Sequence, residues 1–215
     1  MLAAYTNQAV DNMLKRLDAE GFHAYVRLGH DRNVHADVQD RLLKHLVTQN
    51  NQPLAVRALL FKTTVIASTM ATWSSDKYSS PPVDETASGT DGSPLHFDVA
   101  IIDEASQITI PAILGALRLV KRFILVGDEK QLPPLVLSKE AAEKGLATSL
   151  FSYLKQCDDD YMNGGSEAES ACVSLRVQYR MNRWISNFSS KVFYEDTLEA
   201  APTVAKRVLL SLIHI

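Results

Sequence analysis

The amino-acid sequence predicts an α/β fold in which helices flank a parallel sheet. Segments with helical and with strand periodicity alternate along the 215 residues, which is the pattern of βαβ units. Two short apolar runs, at residues 98–102 and 122–126, are typical of strands that are covered on both faces. Acidic and polar residues follow both runs, as expected where a doubly wound sheet binds its ligand.

Composition and charge restrict the class of protein. The formal net charge is −3 and apolar residues make up 46% of the chain, which excludes a collagen, a coiled coil and a fully disordered chain. The sequence contains no apolar run of transmembrane length and no signal peptide at its start, so we expect no membrane partner. Cys157 and Cys172 form no CxxC pair, which argues against a zinc finger or a four-cysteine iron–sulfur site.

The amino-terminal part is predicted to form one long helix and one strand. Apolar residues recur at helical spacing from Val10 to Leu17, which predicts a helix over residues 7–20. Gly21 is placed to end this helix. Residues 23–28 have the composition of a strand.

The middle of the chain is predicted to alternate helices and strands. Apolar spacing predicts a helix over residues 34–48, and β-branched residues predict a strand over residues 63–67. The apolar runs at 98–102 and 122–126 form two buried strands, with a helix over residues 111–119 between them. A strand, a helix and a strand joined by short links predict a parallel pair with a right-handed crossover.

Two acidic segments are predicted to be loops. Residues 74–96 are rich in Ser, Pro, Gly, Thr and Asp, and we expect this loop to be disordered. Residues 157–170 contain three consecutive aspartates and a Gly-Gly pair. Such sequences bury too little apolar surface to stay packed. The remainder of the chain is mildly basic, which is compatible with a polyanionic ligand.

The first of the two buried strands ends in the acidic pair Asp103-Glu104. One carboxylate of such a pair can hold a magnesium ion, and the other can orient or deprotonate an attacking water. An apolar strand that ends in an acid is the Walker B arrangement of nucleotide hydrolases. The alternative is a strand that simply meets a polar loop.

The second buried strand leads into the sequence GDEKQLPP at residues 127–134. A glycine permits a tight exit from the sheet, and Asp128 and Gln131 follow where they can reach a ligand shared with the first strand. Gln131 can both donate and accept, which suits a group that senses a phosphate and its water. Pro133 and Pro134 stiffen the segment that follows. The alternative is a proline-bearing surface turn.

A third motif, VQYRM at residues 177–181, follows the apolar run 172–175, which we expect to be a strand. Arg180 can stabilise negative charge that develops on a phosphate during hydrolysis. Tyr179 can stack on a base. The alternative is an arginine in a surface ion pair beside a half-buried tyrosine.

Taken in this order, the three motifs resemble superfamily 1 helicases of the 5′-to-3′ branch. The first motif extends to FDVAIIDEASQ at residues 97–107. Longer stretches, at residues 4–12, 122–137 and 191–195, are similar to the eukaryotic replication helicase/nucleases. The resemblance implies a RecA-like P-loop NTPase motor that uses ATP and Mg²⁺ to move along single-stranded DNA. It also implies a role in Okazaki-fragment maturation and DNA end resection.

The resemblance assigns roles to matching residues. Asp103 would hold Mg²⁺ and Glu104 would activate the water. Gln131, with Asp128 beside it, would couple the γ-phosphate to movement. Arg180 would act on the phosphates from the second lobe. The resemblance also implies that Tyr179 would lie near the adenine.

A second set of residues matches the family's contacts to the nucleic-acid strand. These residues are Tyr5, Thr6, Asn7, Asp11, Ser68, Thr69, Pro133 and Pro134. Small hydroxyl and amide side chains of this kind bond backbone phosphates and position a strand without reading its sequence. For Thr6 the alternative is that it caps the first helix.

The resemblance also implies parts that the chain lacks. It places residues 1–140 in a RecA-like lobe 1 and residues 141–215 at the start of lobe 2. The sequence contains no G-x-x-x-x-G-K-(S/T), so we expect the phosphate loop upstream of Tyr5, beyond Met1. The nuclease domain and the cysteines of its 4Fe–4S cluster are not matched. We therefore expect an incomplete motor that is inactive by itself. Its exposed apolar tail at residues 208–215 is either a strand that awaits missing partners or a non-native terminus.

Three functions stay open at this point. The first is an ATP-dependent DNA helicase that acts on single-stranded flaps or resected ends, with a single-strand-binding protein as a candidate partner. Its expected location is the nucleus and also mitochondria. The second is a non-catalytic nucleic-acid-binding protein, and the third is an RNA helicase of the same branch. Asp103, Glu104 and Gln131 favour a motor, because a binding module has no use for hydrolytic residues.

Overall fold

The computed structural model describes residues 1–47, 52–75, 95–164 and 169–207. The chain divides into two compact units, Met1–Gln156 and Cys157–Ile215. Most of the predicted loop 74–96, four residues of the second acidic segment and the tail 208–215 lie outside the described residues.

The first unit is built on a five-stranded sheet with the order β2-β3-β1-β4-β5. Its strands are β1 (Leu2–Ala4), β2 (Tyr25–Arg27), β3 (Val65–Thr69), β4 (Phe97–Asp103) and β5 (Val120–Leu125). All pairings are parallel, which confirms the predicted α/β class. The sequence analysis did not predict β1, because three residues are too few to show strand alternation.

Helices flank this sheet. They are α1 (Asn7–Ala19), α2 (Leu43–Leu46), α3 (Pro53–Lys62), α4 (Met70–Trp73), α5 (Ile110–Leu117), α6 (Lys139–Ala141) and α7 (Leu150–Asn163). A short helical segment at Ala142–Leu146, kinked at Gly145, follows α6. The predicted helices 7–20 and 111–119 are confirmed as α1 and α5. Within the described part of the chain, no helix is long and apolar enough to cross a membrane.

Two apolar clusters pack on opposite faces of the sheet. The larger one contains Ala3 and Ile102 together with Trp73, whose ring meets Phe97 edge-on with 5.4 Å between ring centroids. The smaller one contains Ala4 and the inward residues of α1. Successive strand residues point to opposite faces, so neighbours in β1 join different clusters.

Residues 34–48 do not form the predicted helix. The structure has 3₁₀ turns at Asp31–Asn33 and Ala36–Arg41, followed by α2. Leu42 is extended and bridges Arg27 at the end of β2. The apolar spacing that suggests a helix instead packs this connection into the smaller cluster. Its expected last residue lies outside the described residues.

The prediction that β5 is a buried strand is wrong. Among the described residues, β5 pairs only with β4 and no strand pairs with its other edge, and Ile124 is 53% exposed. Ile124 is the register partner of Ile101 on β4, which is also exposed. Both lie on the face opposite Ile102, which packs with α5. Local sequence shows an apolar run but does not show whether another element covers it.

In its described residues, the second unit contains the end of α7, two short strands and two further helices. These strands and further helices are β6 (Val177–Gln178), α8 (Arg183–Phe193), β7 (Glu199–Ala200) and α9 (Pro202–Ala205), and β6 pairs with β7 in parallel. The predicted strand at 172–175 is wrong, because these residues are exposed and pair with no strand in the described ranges. A strand needs a neighbour to satisfy its backbone groups.

The prediction of a loop over residues 157–170 is also wrong in its first half. α7 continues through the aspartates to Asn163. Asp158 accepts hydrogen bonds from Ser170 Oγ and Ala171 N, which tie the returning chain to the helix. These bonds hold the pKa of the Asp158 carboxyl below its usual value. Residues 165–168 lie outside the described residues.

Candidate functional site

The carboxyl ends of β4 and β5 are joined by hydrogen bonds. Val126 N donates to Ile102 O at 2.8 Å, and Ala105 N donates to Val126 O at 2.9 Å. Asp128 N donates to Ser106 Oγ at 3.3 Å. These bonds bring the two acidic turns, which the sequence presents separately, to one edge of the sheet. That edge is where α/β sheets bind ligands.

Gly127 allows the two turns to approach each other. A Cβ atom at position 127 would lie 2.9 Å from Ser106 N and 3.4 Å from Ala105 N. The first distance is a clash with backbone, which cannot rotate away as a flexible side chain can. The glycine is therefore required by the close packing of the two strand ends.

We expect Gly127→Ala to separate the two acidic turns and to lower the free energy of unfolding by roughly 1–3 kcal/mol. Urea unfolding measures the loss. Gly164→Ala is the control, because a Cβ there would meet its neighbours at 3.4 and 3.5 Å, which is ordinary contact. Equal stability of the two variants would show that the approach at position 127 is not tight.

Asp103 and Glu104 are half-buried at the end of β4. Glu104 N donates to Asp103 Oδ1 at 3.0 Å, and Gln107 Nε2 donates to Glu104 Oε2 at 3.0 Å. Glu104 has a left-handed backbone, with φ of 54° and ψ of 36°. Such a conformation is uncommon for a residue other than glycine and is concentrated at functional sites. The turn therefore fixes the direction in which the two carboxylates leave the strand.

Asp128 organises the second acidic turn. Its Oδ1 accepts from Lys130 N at 3.0 Å, and its Oδ2 accepts from Gln131 Nε2 at 2.7 Å. The Gln131 side chain is exposed beside it. Glu129 forms an ion pair of 3.2 Å with Lys155 on α7. Asp128 therefore positions Gln131.

The donor set suits magnesium that is bound together with a nucleotide. Magnesium is usually held by one or two carboxylates, with phosphate oxygens and waters as the other ligands. Asp103 supplies one half-buried carboxylate at a strand end, with Glu104 beside it. The carboxylate of Asp103 therefore fits a magnesium–nucleotide complex. Among the residues that the structure describes, no group of three or more His, Cys, Asp or Glu could hold a metal ion.

A small cleft of about 140 Å³ lies at the turn that follows Glu104 in the sequence. It is lined by Tyr5, Met70, Ala71, Gln107, Ile108, Thr109, Ala112 and Leu135. Of the residues that the sequence connects with nucleic acid, only Tyr5 lines the cleft; Met70 and Leu135 directly follow Thr69 and Pro134 in the sequence. Tyr5 is 44% exposed. The cleft is smaller than the roughly 300–1,000 Å³ of small-molecule pockets, so it fits one group of a polymer strand.

Asp11 and Asn7 are engaged inside the protein. Asp11 is 2% exposed; its Oδ1 accepts from Arg27 Nε at 2.8 Å and its Oδ2 accepts from His35 N at 2.8 Å. Asn7 Oδ1 accepts from Arg27 Nη2 at 2.8 Å. Arg27 is itself fully buried. This network holds the first turns of α1 and leaves Asp11 without access to a ligand.

Two hydroxyl residues also have structural partners. Ser68 is fully buried and its Oγ donates to Leu28 O at 2.9 Å. Thr6 is exposed, and its Oγ1 accepts from Ala9 N at 3.2 Å. Thr6 thus caps α1, which is the alternative that its sequence position left open.

The other predicted strand contacts are at or near the surface. Thr69 is half-buried and shares a hydrogen bond of 3.2 Å with the Thr72 hydroxyl. Pro133 is exposed, whereas Pro134 is buried. Pro134 therefore anchors the segment, and the exposed Leu135 that follows it lines the cleft.

In the second unit, Gln178 supports the turn that carries Tyr179 and Arg180. Its Oε1 accepts from Arg180 N at 2.8 Å and from Met181 N at 2.7 Å. Its Nε2 donates to Met181 O at 2.7 Å. Tyr179 is 68% exposed, and Arg180 is exposed as well. Three hydrogen bonds hold the turn, which presents both side chains to solvent. The roles of Tyr179 and Arg180 at a nucleotide stay predictions.

Sequence reasoning did not identify three residues that organise these sites: Arg27, Gln107 and Gln178. A lone arginine in an apolar strand, as in YVRLG, indicates a buried ion pair, because a buried charge needs a partner. Gln107 follows Glu104 at a spacing of one helical turn, where the two side chains can meet. Gln178 carries no signal beyond its place in the motif.

Comparison with known proteins gives consistent matches along the chain. Two protein-family models, each described as an AAA domain, match residues 50–139 and 146–214. The DNA replication ATP-dependent helicase/nuclease DNA2 of Homo sapiens is 35% identical over 215 residues, which are 100% of this chain and 18% of that protein. The corresponding JHS1 of Arabidopsis thaliana is 37% identical over 199 residues, 92% of this chain and 13% of that protein.

A fungal relative agrees with these two. The DNA replication ATP-dependent helicase/nuclease DNA2 of Saccharomyces cerevisiae is 32% identical over 199 residues, which are 93% of this chain and 11% of that protein. The chain thus spans between 11% and 18% of the length of these three relatives.

Proposed function

The chain belongs to the superfamily 1 helicases that include the replication helicase/nucleases, and we propose that it is part of an ATP-driven motor that moves 5′ to 3′ along single-stranded DNA. One observation carries this proposal. The acidic turns around Asp103 and Asp128 meet at the carboxyl edge of a parallel sheet. Gln107 connects that edge to a cleft lined by Tyr5.

Each side chain at this edge has a chemical task. Asp103 would hold the magnesium ion of the nucleotide, and that ion would neutralise phosphate charge. Glu104 accepts a proton from the attacking water. Gln131, oriented by Asp128, hydrogen-bonds the terminal phosphate or its water. Arg180 lies in the second unit, and its role in stabilising the charge that develops on the phosphate stays a prediction from the family resemblance.

The phosphates need a further anchor from outside residues 1–215, because the sequence contains no G-x-x-x-x-G-K-(S/T). The outer edge of β5, which pairs with no strand in the described part of the chain, is a suitable place for it. A parallel strand added there would end beside Asp103 and Asp128, so a loop after it would reach their ligand. A helix after that loop would cover the exposed face around Ile101 and Ile124. Free apolar edges are normally paired or covered.

We expect the 215-residue chain to bind single-stranded DNA without turning over ATP, because it lacks the loop that anchors the β- and γ-phosphates. Fluorescence anisotropy with a labelled oligonucleotide measures binding. The logarithm of the association constant should fall linearly with the logarithm of salt concentration, with a slope of about −0.7 per phosphate contacted. ATP turnover above the buffer background would contradict this expectation.

Tyr5→Ala should weaken binding by roughly fivefold or more, because stacking contributes about 1–3 kcal/mol per base. Tyr161→Ala is the matched control, since Tyr161 is an exposed tyrosine on α7, outside the cleft lining. Equal weakening by both variants would place the strand elsewhere on the surface.

The substrate class is also part of the proposal. The relatives are named as DNA replication proteins, which supports DNA over RNA and a place in the nucleus. Affinity for DNA and RNA of one sequence at one salt concentration tests the choice. Flaps and resected ends, a single-strand-binding partner and a mitochondrial location stay predictions from the family resemblance.

A further inference from the structure

The side chain of Gln107 belongs to two sites at once. Its Nε2 donates to Glu104 Oε2 at 3.0 Å. The same residue lines the cleft, together with Tyr5, Thr109 and Leu135. Gln107 is half-buried in the turn that follows β4. It is therefore in contact both with the group assigned to water activation and with the surface assigned to the nucleic-acid strand.

The backbone around this contact is fixed, whereas the side-chain bond can break. Gln107 N donates to Glu104 O at 3.0 Å, and Glu104 N donates to Asp103 Oδ1 at 3.0 Å. The turn is also tied to β5 by the bond from Ala105 N to Val126 O. A rotation of the Gln107 side chain changes its acceptor without moving this turn, because rotamer changes need no backbone shift.

We propose that Gln107 is a positioning residue through which a bound nucleic-acid strand acts on Glu104. In the structure, the side-chain amide of Gln107 donates a hydrogen bond to one carboxylate oxygen of Glu104. A phosphate or base oxygen in the cleft offers that amide a second acceptor. When the amide turns to the strand, the Glu104 oxygen is released and can accept the proton of the attacking water. The inference rests on the proposed function, since it assumes that the cleft takes the strand.

Such a link has to act in both directions, because coupling between two sites is reciprocal. If the strand competes with Glu104 for the amide of Gln107, then Glu104 opposes binding of the strand. Removal of the Glu104 carboxylate should therefore strengthen strand binding. That gain should depend on Gln107, since no other group on this path carries the competing hydrogen bond.

A double-mutant cycle on the 215-residue chain tests this coupling. The variants are Glu104→Ala, Gln107→Leu and the two combined, and the probe is a labelled oligothymidylate of about 12 nucleotides. Asp103→Ala is the control, because it also removes one half-buried carboxylate but not the acceptor of Gln107. We expect Glu104→Ala to tighten binding about threefold to tenfold more than Asp103→Ala does. The difference should vanish in the Gln107→Leu background.

The possible outcomes distinguish a failure of the proposed function from a failure of this inference alone. No binding of the oligonucleotide by the wild-type chain would refute the proposed function, and this inference with it. Binding with equal effects of Glu104→Ala and Asp103→Ala would refute the inference alone, as would a gain that persists without Gln107. Where Gln107→Leu lowers the folded fraction, Gln107→Met, which keeps the side-chain length, takes its place in the cycle.

A purely structural role of Gln107 would leave one further readout unchanged. In the complete gene product, Gln107→Leu should bring the ratio of DNA-stimulated to unstimulated ATP hydrolysis close to one. A residue that only supports the fold would lower both rates by the same factor. An unchanged ratio would therefore overturn the proposal.

Discussion

Glu104→Gln should lower ATP turnover by the complete gene product about 10²–10⁴-fold, the usual contribution of a general base. The amide keeps the shape of the side chain but cannot take a proton from water. Nucleotide binding should persist, because Asp103 and the phosphate anchor are unchanged. Steady-state hydrolysis and equilibrium binding of a nucleotide, measured on the same preparation, separate the two effects.

The matched control for this substitution is Glu129→Gln. Glu129 is another acidic residue at the same sheet edge, but it forms an ion pair with Lys155 on α7. We expect this variant to retain turnover within a few fold of the wild type. A Glu104→Gln variant that hydrolyses ATP as fast as Glu129→Gln would remove Glu104 from the mechanism and favour a non-catalytic binding protein.

Asp11→Ala should have the largest effect on stability, a loss of about 3–5 kcal/mol in the free energy of unfolding. Its partner Arg27 is fully buried, so the substitution leaves a charge in the interior. The loss approaches the whole stability of many domains. Urea unfolding in a Trp184→Phe background measures it, because buried Trp73 is then the only tryptophan of the chain.

Two controls define what this loss means. Asp37→Ala removes an aspartate whose side chain is 63% exposed, and it should cost less than about 1 kcal/mol. Replacing both buried partners, with Asp11→Leu and Arg27→Met, should recover most of the stability, because no unpaired charge remains. A loss for Asp11→Ala no greater than that for Asp37→Ala would contradict the buried network.

The parallel sheet and its ligand edge could be predicted because they are encoded locally. β4 and β5 are apolar runs that end in polar residues, and parallel strands place such ends at one edge. α1 could be predicted from its apolar spacing and from Gly21, whose φ of +79° ends the helix. These signals need only a few neighbouring residues.

The errors arise where long-range contacts decide the structure. Residues 34–48 have helical spacing, but Leu42 is held extended by its bridge to β2. Residues 157–163 are acidic, yet Asp158 is satisfied by a segment that returns to the helix. Asp11 looks like a surface carboxylate because its partner, Arg27, is distant in sequence. Local patterns contain none of these pairings.

DNA-stimulated ATP hydrolysis by the complete gene product, at one fixed salt concentration, is the most direct test of the account. We expect magnesium-dependent hydrolysis that rises when single-stranded DNA is added, rises less with RNA of the same sequence, and disappears in Glu104→Gln. Tight binding of DNA without any hydrolysis would contradict it and leave a nucleic-acid-binding protein. Equal stimulation of hydrolysis by RNA and DNA would contradict the assignment of DNA as the nucleic acid along which the motor moves.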